Sequence, residues 1–280
     1  MNLATDRKIQ WCPGCGNFGI YNALKTVLEK EIENGTLKQE DITLVSGIGC
    51  YGYITNYYHL NSFHTIHGRV PPLATGIKLA NPNLTVIGFV GDGDAFAEGM
   101  SHTIHAARRN TDIKLILHNN AVYGLTTGQF TPTSPHGFKS RSTPFGNPEN
   151  PINPSLIMLL SNATFVARGF SADLKHLQYI FSEMLKHRGF AFVEVLQPCV
   201  TFNNTYQFYK ERVYKVEDLN YDSSNLKSAV DLLMKDDEKI PTGILFRTNL
   251  ETYEEQVALE NYYLNRNEVP DLTEIINEFI

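Results

Sequence analysis

Short apolar runs alternate with longer amphipathic stretches up to about residue 200. Residues 42–45, 84–90, 113–118, 163–167 and 190–196 are rich in Val, Ile, Leu and Phe, and Gly, Asn or Pro bounds them. That is the pattern of strands buried on both faces. Between them, residues 17–34 carry Ile20, Ala23, Leu24, Val27 and Leu28 at helical spacing and stop at Gly35. Further helices are predicted from Pro71-Pro72 to Ala80, with proline in the first turn, and over 95–110, 154–160 and 172–187. This alternation predicts an α/β fold, a parallel sheet flanked by helices.

The pattern breaks twice. Residues 123–153 are polar and rich in Gly, Pro, Ser and Thr, without periodicity. A loop of that length is usually functional, and it reads as a site cover or a contact between subunits. After Asn204 the chain turns rich in Tyr, Asn, Asp, Glu and Lys, with a strand-like run at 242–246 and helical pieces near 223–236 and 271–280. The expected organisation is a main domain over 1–205 and a C-terminal extension over 206–280.

Composition narrows the class. Of 280 residues, 42% are hydrophobic and 19% charged, as in an ordinary globular protein. A net charge of −6 gives no reason to expect nucleic acid or a membrane surface as partner. The apolar runs are too short to span a bilayer, and Met1-Asn2-Leu3-Ala4-Thr5-Asp6-Arg7-Lys8 has no apolar signal core. The expected location is cytoplasmic.

Open α/β sheets bind ligands at the carboxyl ends of their strands. There the chain carries Gly91-Asp92-Gly93-Asp94 and, one strand later, Asn119-Asn120-Ala121-Val122-Tyr123-Gly124. Phe96 occupies the place of a third glycine, which excludes the dinucleotide fingerprint. The glycines are expected to allow positive φ and close approach to a ligand. Asp92, Asn120 and the Val122 carbonyl are hard oxygen donors suited to Mg²⁺, which completes its shell with phosphate and water. The helix from Ala95 would point its free N–H groups at the same phosphates. His67 and Arg69, in Phe63-His64-Thr65-Ile66-His67-Gly68-Arg69, are further candidate phosphate donors.

The cysteines are Cys12, Cys15, Cys50 and Cys199. Cys12-Pro13-Gly14-Cys15 lacks the preceding strand of a thioredoxin-like site. Its spacing leaves structural zinc, a 4Fe–4S cluster and unrelated buried thiols open. Cys50, at a predicted strand end, and Cys199, just past another, can both reach the first pair.

The Gly-Asp-Gly…Asn-Asn arrangement resembles the thiamine diphosphate motif of 2-oxo acid decarboxylases and transketolases. With Trp11-Cys12-Pro13-Gly14-Cys15-Gly16-Asn17-Phe18-Gly19, Ser46-Gly47-Ile48-Gly49-Cys50, His67-Gly68-Arg69, Tyr123-Gly124-Leu125-Thr126 and Leu196-Gln197-Pro198-Cys199, the chain resembles the β subunits of 2-oxoacid:ferredoxin oxidoreductases. The resemblance covers roughly residues 10–205. It implies a thiamine diphosphate-binding fold in which Asp92, Asn120 and Val122 hold Mg²⁺ and all four cysteines hold one 4Fe–4S cluster. It implies cofactor contacts from Ile48, Gly49, Cys50, Tyr51, His67, Gly93, Asp94, Gly124 and Leu125, with His67, Arg69 and Leu125 as catalytic residues.

The implied reaction is oxidative decarboxylation of a 2-oxo acid, 2-oxoglutarate or a broader range including pyruvate. Coenzyme A takes the acyl group and ferredoxin the electrons. An α subunit would complete the site in an assembly with two copies of each chain. Tyr53 and Thr127 stand where relatives often carry lysines that would contact anionic substrate or coenzyme A. The alternative reading is a non-redox thiamine decarboxylase subunit with a zinc knot.

Overall fold

The computed structural model describes residues 2–235 and 238–257, together with Asn277. In chain order its elements are α1 (Asn17–Glu33), β1 (Ile42–Ser46), β2 (Asn61–His64), α2 (Val70–Ala80), β3 (Thr85–Gly91), α3 (Met100–Arg109), β4 (Ile113–Asn119) and α4 (Pro154–Leu160). They continue with β5 (Phe165–Phe170), α5 (Leu174–Lys186), β6 (Ala191–Leu196), α6 (Tyr206–Arg212), β7 (Val213–Lys215), α7 (Leu226–Leu233), β8 (Ile240–Arg247) and α8 (Tyr253–Gln256). The strands form one sheet in the order β2-β1-β3-β4-β6-β5-β8-β7. Every neighbouring pair is parallel except β5 with β8.

Side chains alternate across a strand, and here both faces are apolar. On β3, Ile87 and Phe89 enter the core beneath α1 and α5 with Ile20, Leu24, Leu177 and Ile180. Val86 and Val90 enter the opposite core with Val70 and Ala74 of α2, Met158 of α4 and Leu233 of α7. Each such fully buried side chain contributes about 1.5–3 kcal/mol. The two cores fix the sheet rigidly between helical layers. Its carboxyl edge is where β3 and β4 deliver residues 92 and 120 side by side, since Gly91 pairs with His118 in the ladder.

Several expectations need correction. The helix foreseen over 95–110 is interrupted: a π-helical turn spans Asp94–Glu98, and α3 begins only after Gly99. Gly93 has φ −62, so positive φ is not its purpose. A Cβ there would stand 2.3 Å from the Tyr123 ring, and one at Gly91 would stand 2.8 Å from Tyr51, so packing demands these glycines. Strand β5 runs later than 163–167 because its Arg168 is a buried charge that hides the apolar pattern. Strand β2 was not foreseen, as its residues are exposed at the sheet margin and carry no apolar alternation. The C-terminal segment adds β8 and β7 to the sheet itself, β8 antiparallel to β5. The helix expected over 271–280 lies, except for residue 277, outside the described residues. Among the described residues no helix is long and apolar enough to cross a membrane.

Candidate functional site

A cavity of about 370 Å³ opens at the carboxyl edge of β1, β3 and β4. Its wall contains Ile48, Gly49, Cys50, Tyr51, His67, Asp92, Gly93, Asp94, Asn120, Val122, Gly124 and Leu125, the residues expected there. Arg69 is exposed and absent from that wall; its guanidinium donates to the Gly68 carbonyl at 3.4 Å.

Asp92 is buried, and Oδ2 accepts hydrogen bonds from Thr131 at 2.5 Å and Thr133 at 2.7 Å. Burial pushes its pKa up to about 6, and the two hydroxyls oppose that shift. Ala121 takes φ 56, a left-handed conformation unusual for a residue with a Cβ. It brings the Val122 N–H onto Asn120 Oδ1 at 3.0 Å. Asn120 Nδ2 donates to Gln197 Oε1 at 3.2 Å, which fixes the amide with its oxygen on the Val122 N–H and one lone pair left over. Asp92 and Asn120 therefore present oxygen donors beside one another, together with Val122, as a Mg²⁺ site requires.

Asp94 is also buried. Its Oδ1 accepts from the Gly68 N–H at 2.8 Å and faces His67 Nδ1 at 3.3 Å. That hydrogen bond raises the pKa of His67, so a partly exposed imidazolium is favoured at the cavity mouth. Burial, followed by the Asp94 charge, holds the Tyr51 hydroxyl well above its ordinary pKa. The pair falls short of hydrogen-bond geometry, leaving Tyr51 Oη and Asp94 Oδ2 buried without partners. Unpaired buried polar atoms in a cavity wall fit a polar ligand. Across the mouth, Tyr123 donates to Glu98 at 3.0 Å.

The four thiols surround a second, smaller cavity of about 160 Å³. All are free; Gln197 Nε2 donates to Cys15 Sγ at 3.5 Å and Thr201 Oγ1 to Cys12 Sγ at 3.4 Å. Burial, reinforced by the neighbouring thiols, pushes Cys15 up to about 12 and Cys50 to about 11. Such thiols ionise only beside strong positive charge, which a metal centre supplies. Among the described residues no three His, Cys, Asp or Glu side chains converge as ligands of one ion do. Four thiols lining one cavity are a donor set that fits a structural zinc or a 4Fe–4S cluster.

Sequence reasoning missed Thr131 and Thr133, which sit in the aperiodic loop; a Thr-Pro-Thr-Ser run was the only local signal. It also passed over Glu98, His118 and Gln197 as site residues. Of the two positions where relatives often carry lysine, Tyr53 lines the thiol cavity, whereas Thr127 lies at φ 77 and lines neither.

Comparison with known proteins gives a consistent result. The thiamine pyrophosphate enzyme C-terminal TPP binding domain family matches residues 47–195. The family of the C-terminal part of the pyruvate ferredoxin oxidoreductase beta subunit matches 199–261. The 2-oxoacid:ferredoxin oxidoreductase subunit beta of Saccharolobus solfataricus is 43% identical over 89% of this chain and 85% of its own. The 2-oxoglutarate synthase subunit KorB of Archaeoglobus fulgidus is 33% identical over 92% of each. A solved 2-oxoglutarate:ferredoxin oxidoreductase from Magnetococcus marinus, with 2-oxoglutarate, coenzyme A and succinyl-CoA bound, superposes with a TM-score of 0.89. It is 36% identical and covers 99% of this chain and 94% of that one.

Proposed function

The chain belongs to the family of 2-oxoacid:ferredoxin oxidoreductase β subunits, and from that membership we propose the reaction it serves. It is the coenzyme A-dependent oxidative decarboxylation of 2-oxoglutarate, or of a broader range including pyruvate, to acyl-CoA and CO₂. Electrons leave through a 4Fe–4S cluster held by Cys12, Cys15, Cys50 and Cys199, and ferredoxin accepts them. The observation that carries this reading is a shared wall: Cys50, Asn120, Gly124 and Leu125 line both cavities. A cofactor in one and a cluster in the other would be separated by single side chains.

Bound thiamine diphosphate supplies the carbanion stabilisation. This chain's residues hold and orient it. Asp92, Asn120 and the Val122 carbonyl hold Mg²⁺, with Thr131 and Thr133 securing the carboxylate. Gly93 and Gly124 bring bare backbone to the diphosphate wall, with Tyr123 packed on the first and the Cys50 and Cys199 thiols beside the second; Asp94 keeps the His67 turn against the site, and His67 offers a cation to phosphate or substrate carboxylate. Tyr123 and Glu98 narrow the mouth and limit water. The aminopyrimidine pocket and its activating carboxylate are assigned to an α subunit, in an assembly with two copies of each chain.

The test is reconstitution. The isolated chain should be brown with bound iron yet turn over no 2-oxo acid, and adding the α subunit should restore ferredoxin reduction with a panel of 2-oxo acids. Turnover by the chain alone, shown partner-free by mass spectrometry, would sink the split-site reading. A colourless, iron-free chain would sink the cluster.

A further inference from the structure

His118, at the end of β4, takes no part in the metal site or in thiol ligation. It is 1% exposed, and its ring tilts against Tyr51 with centroids 5.5 Å apart. Nδ1 lies 2.8 Å from Asn17 Oδ1, so Nδ1 carries the hydrogen and Nε2 keeps its lone pair. Nε2 is buried without a partner, and the residue lines the cofactor cavity. Asn17 is the first residue of α1, fully buried, and lines the thiol cavity. Its backbone N–H acts to lower the Cys15 pKa against the effect of burial, and its Nδ2 has no partner. One bridge of two side chains thus ends in an unpaired acceptor on the cofactor side and an unpaired donor on the thiol side. Buried polar groups left so are rare and point to ligands.

We propose that Asn17 donates its Nδ2 hydrogen to a sulfur of the cluster and that His118 is the positioning residue that sets this orientation. Thiolate and sulfide sulfur accept hydrogen bonds, whereas the reversed amide would turn its carbonyl oxygen on electron-rich sulfur. In the orientation observed, His118 Nδ1 holds that oxygen instead, at 2.8 Å. An N–H donated to cluster sulfur stabilises the added negative charge of the reduced state and raises the reduction potential. At the other end, Nε2 accepts from a donor in the cofactor cavity, so the bridge couples the two sites. This inference rests on the cluster reading above.

The experiment is a redox titration of the purified α–β assembly, followed by the cluster's paramagnetic signal, with iron content measured alongside. Asn17→Leu, close in volume, should lower the reduced-to-oxidised ratio about tenfold at fixed potential, about 59 mV for a one-electron couple. His118→Phe should shift it the same way, and the double variant should add little to the larger single effect. His118→Asn keeps an N–H where Nδ1 stood and should retain the wild-type midpoint. If Asn17→Leu fails to hold iron, His118→Phe and His118→Asn decide by themselves. An unmoved midpoint in iron-replete His118→Phe overturns this inference and leaves the cluster standing. A wild-type assembly whose iron is absent overturns both.

Discussion

Thr133 donates its hydroxyl to Asp92 Oδ2 at 2.7 Å across 41 positions of sequence, and the same hydroxyl oxygen lies 3.0 Å from Asn119 Oδ1. The aperiodic loop is therefore tied to the end of the central strands. Asn119 in turn donates to Glu194 at 2.7 Å, and Glu194 pairs with Arg168 at 2.9 Å. The Asp92 carboxylate is thus anchored to a buried ion pair of β5 and β6.

Removing the anchor should show in cofactor affinity. A hydrogen bond to a charged group contributes about 1.5–3 kcal/mol. Thr131→Val and Thr133→Val should each weaken Mg²⁺–thiamine diphosphate binding about tenfold, read by calorimetric titration. Unchanged affinity in the double variant would show that the loop does not secure the carboxylate.

Asp92 predicts a pH dependence of two opposite signs. Its folded pKa, about 6, stands above the ordinary 3.8. Its contribution to the stability of the metal-free chain is full below 3.8 and lost as pH rises through 6. Metal binding needs the ionised form, so affinity should fall about tenfold per unit as pH drops below that value. Asp92→Asn should bind weakly at every pH and flatten both profiles, as thermal denaturation and calorimetry would reveal.

Cys199→Ala tests the ligand set. Losing one of four thiolates leaves the cluster labile, so the variant should lose iron and ferredoxin reduction together. Thiamine diphosphate affinity should hold within about threefold, a change of under about 1 kcal/mol, because Cys199 does not line the cofactor cavity. Full iron content in the purified variant would remove Cys199 from the assignment.

The buried ion pair makes a stability prediction. Arg168 and Glu194 side chains are 4% and 2% exposed. Arg168→Met leaves a buried carboxylate short of its cation, which costs about 3–5 kcal/mol. Chemical denaturation should show that loss, and adding Glu194→Gln should recover part of it. A single variant as stable as wild type would mean that Asn119 and Ser155, whose hydroxyl donates to Glu194 Oε2 at 2.5 Å, satisfy Glu194 unaided.

By itself the sequence determined the strands with continuous apolar runs, because burial on both faces writes itself into local composition. It also carried the pairing of Asp92 with Asn120, since both hang from the ends of adjacent parallel strands and need no distant partner to be recognised. Cys12 and Cys15 declared themselves by spacing. The tertiary structure alone decided that the cavity lined by the four thiols shares a wall with the cofactor site. That depends on where β1, β6 and the α1 loop meet, which local pattern does not encode. The same holds for β2, β7 and the interrupted helix at Asp94–Glu98, whose residues follow packing against neighbours instead of their own periodicity. Thr131, Thr133, Asn17 and His118 acquire their roles through hydrogen bonds or shared cavities across long stretches of chain. Such bonds are set by packing geometry, and only the folded chain reveals them.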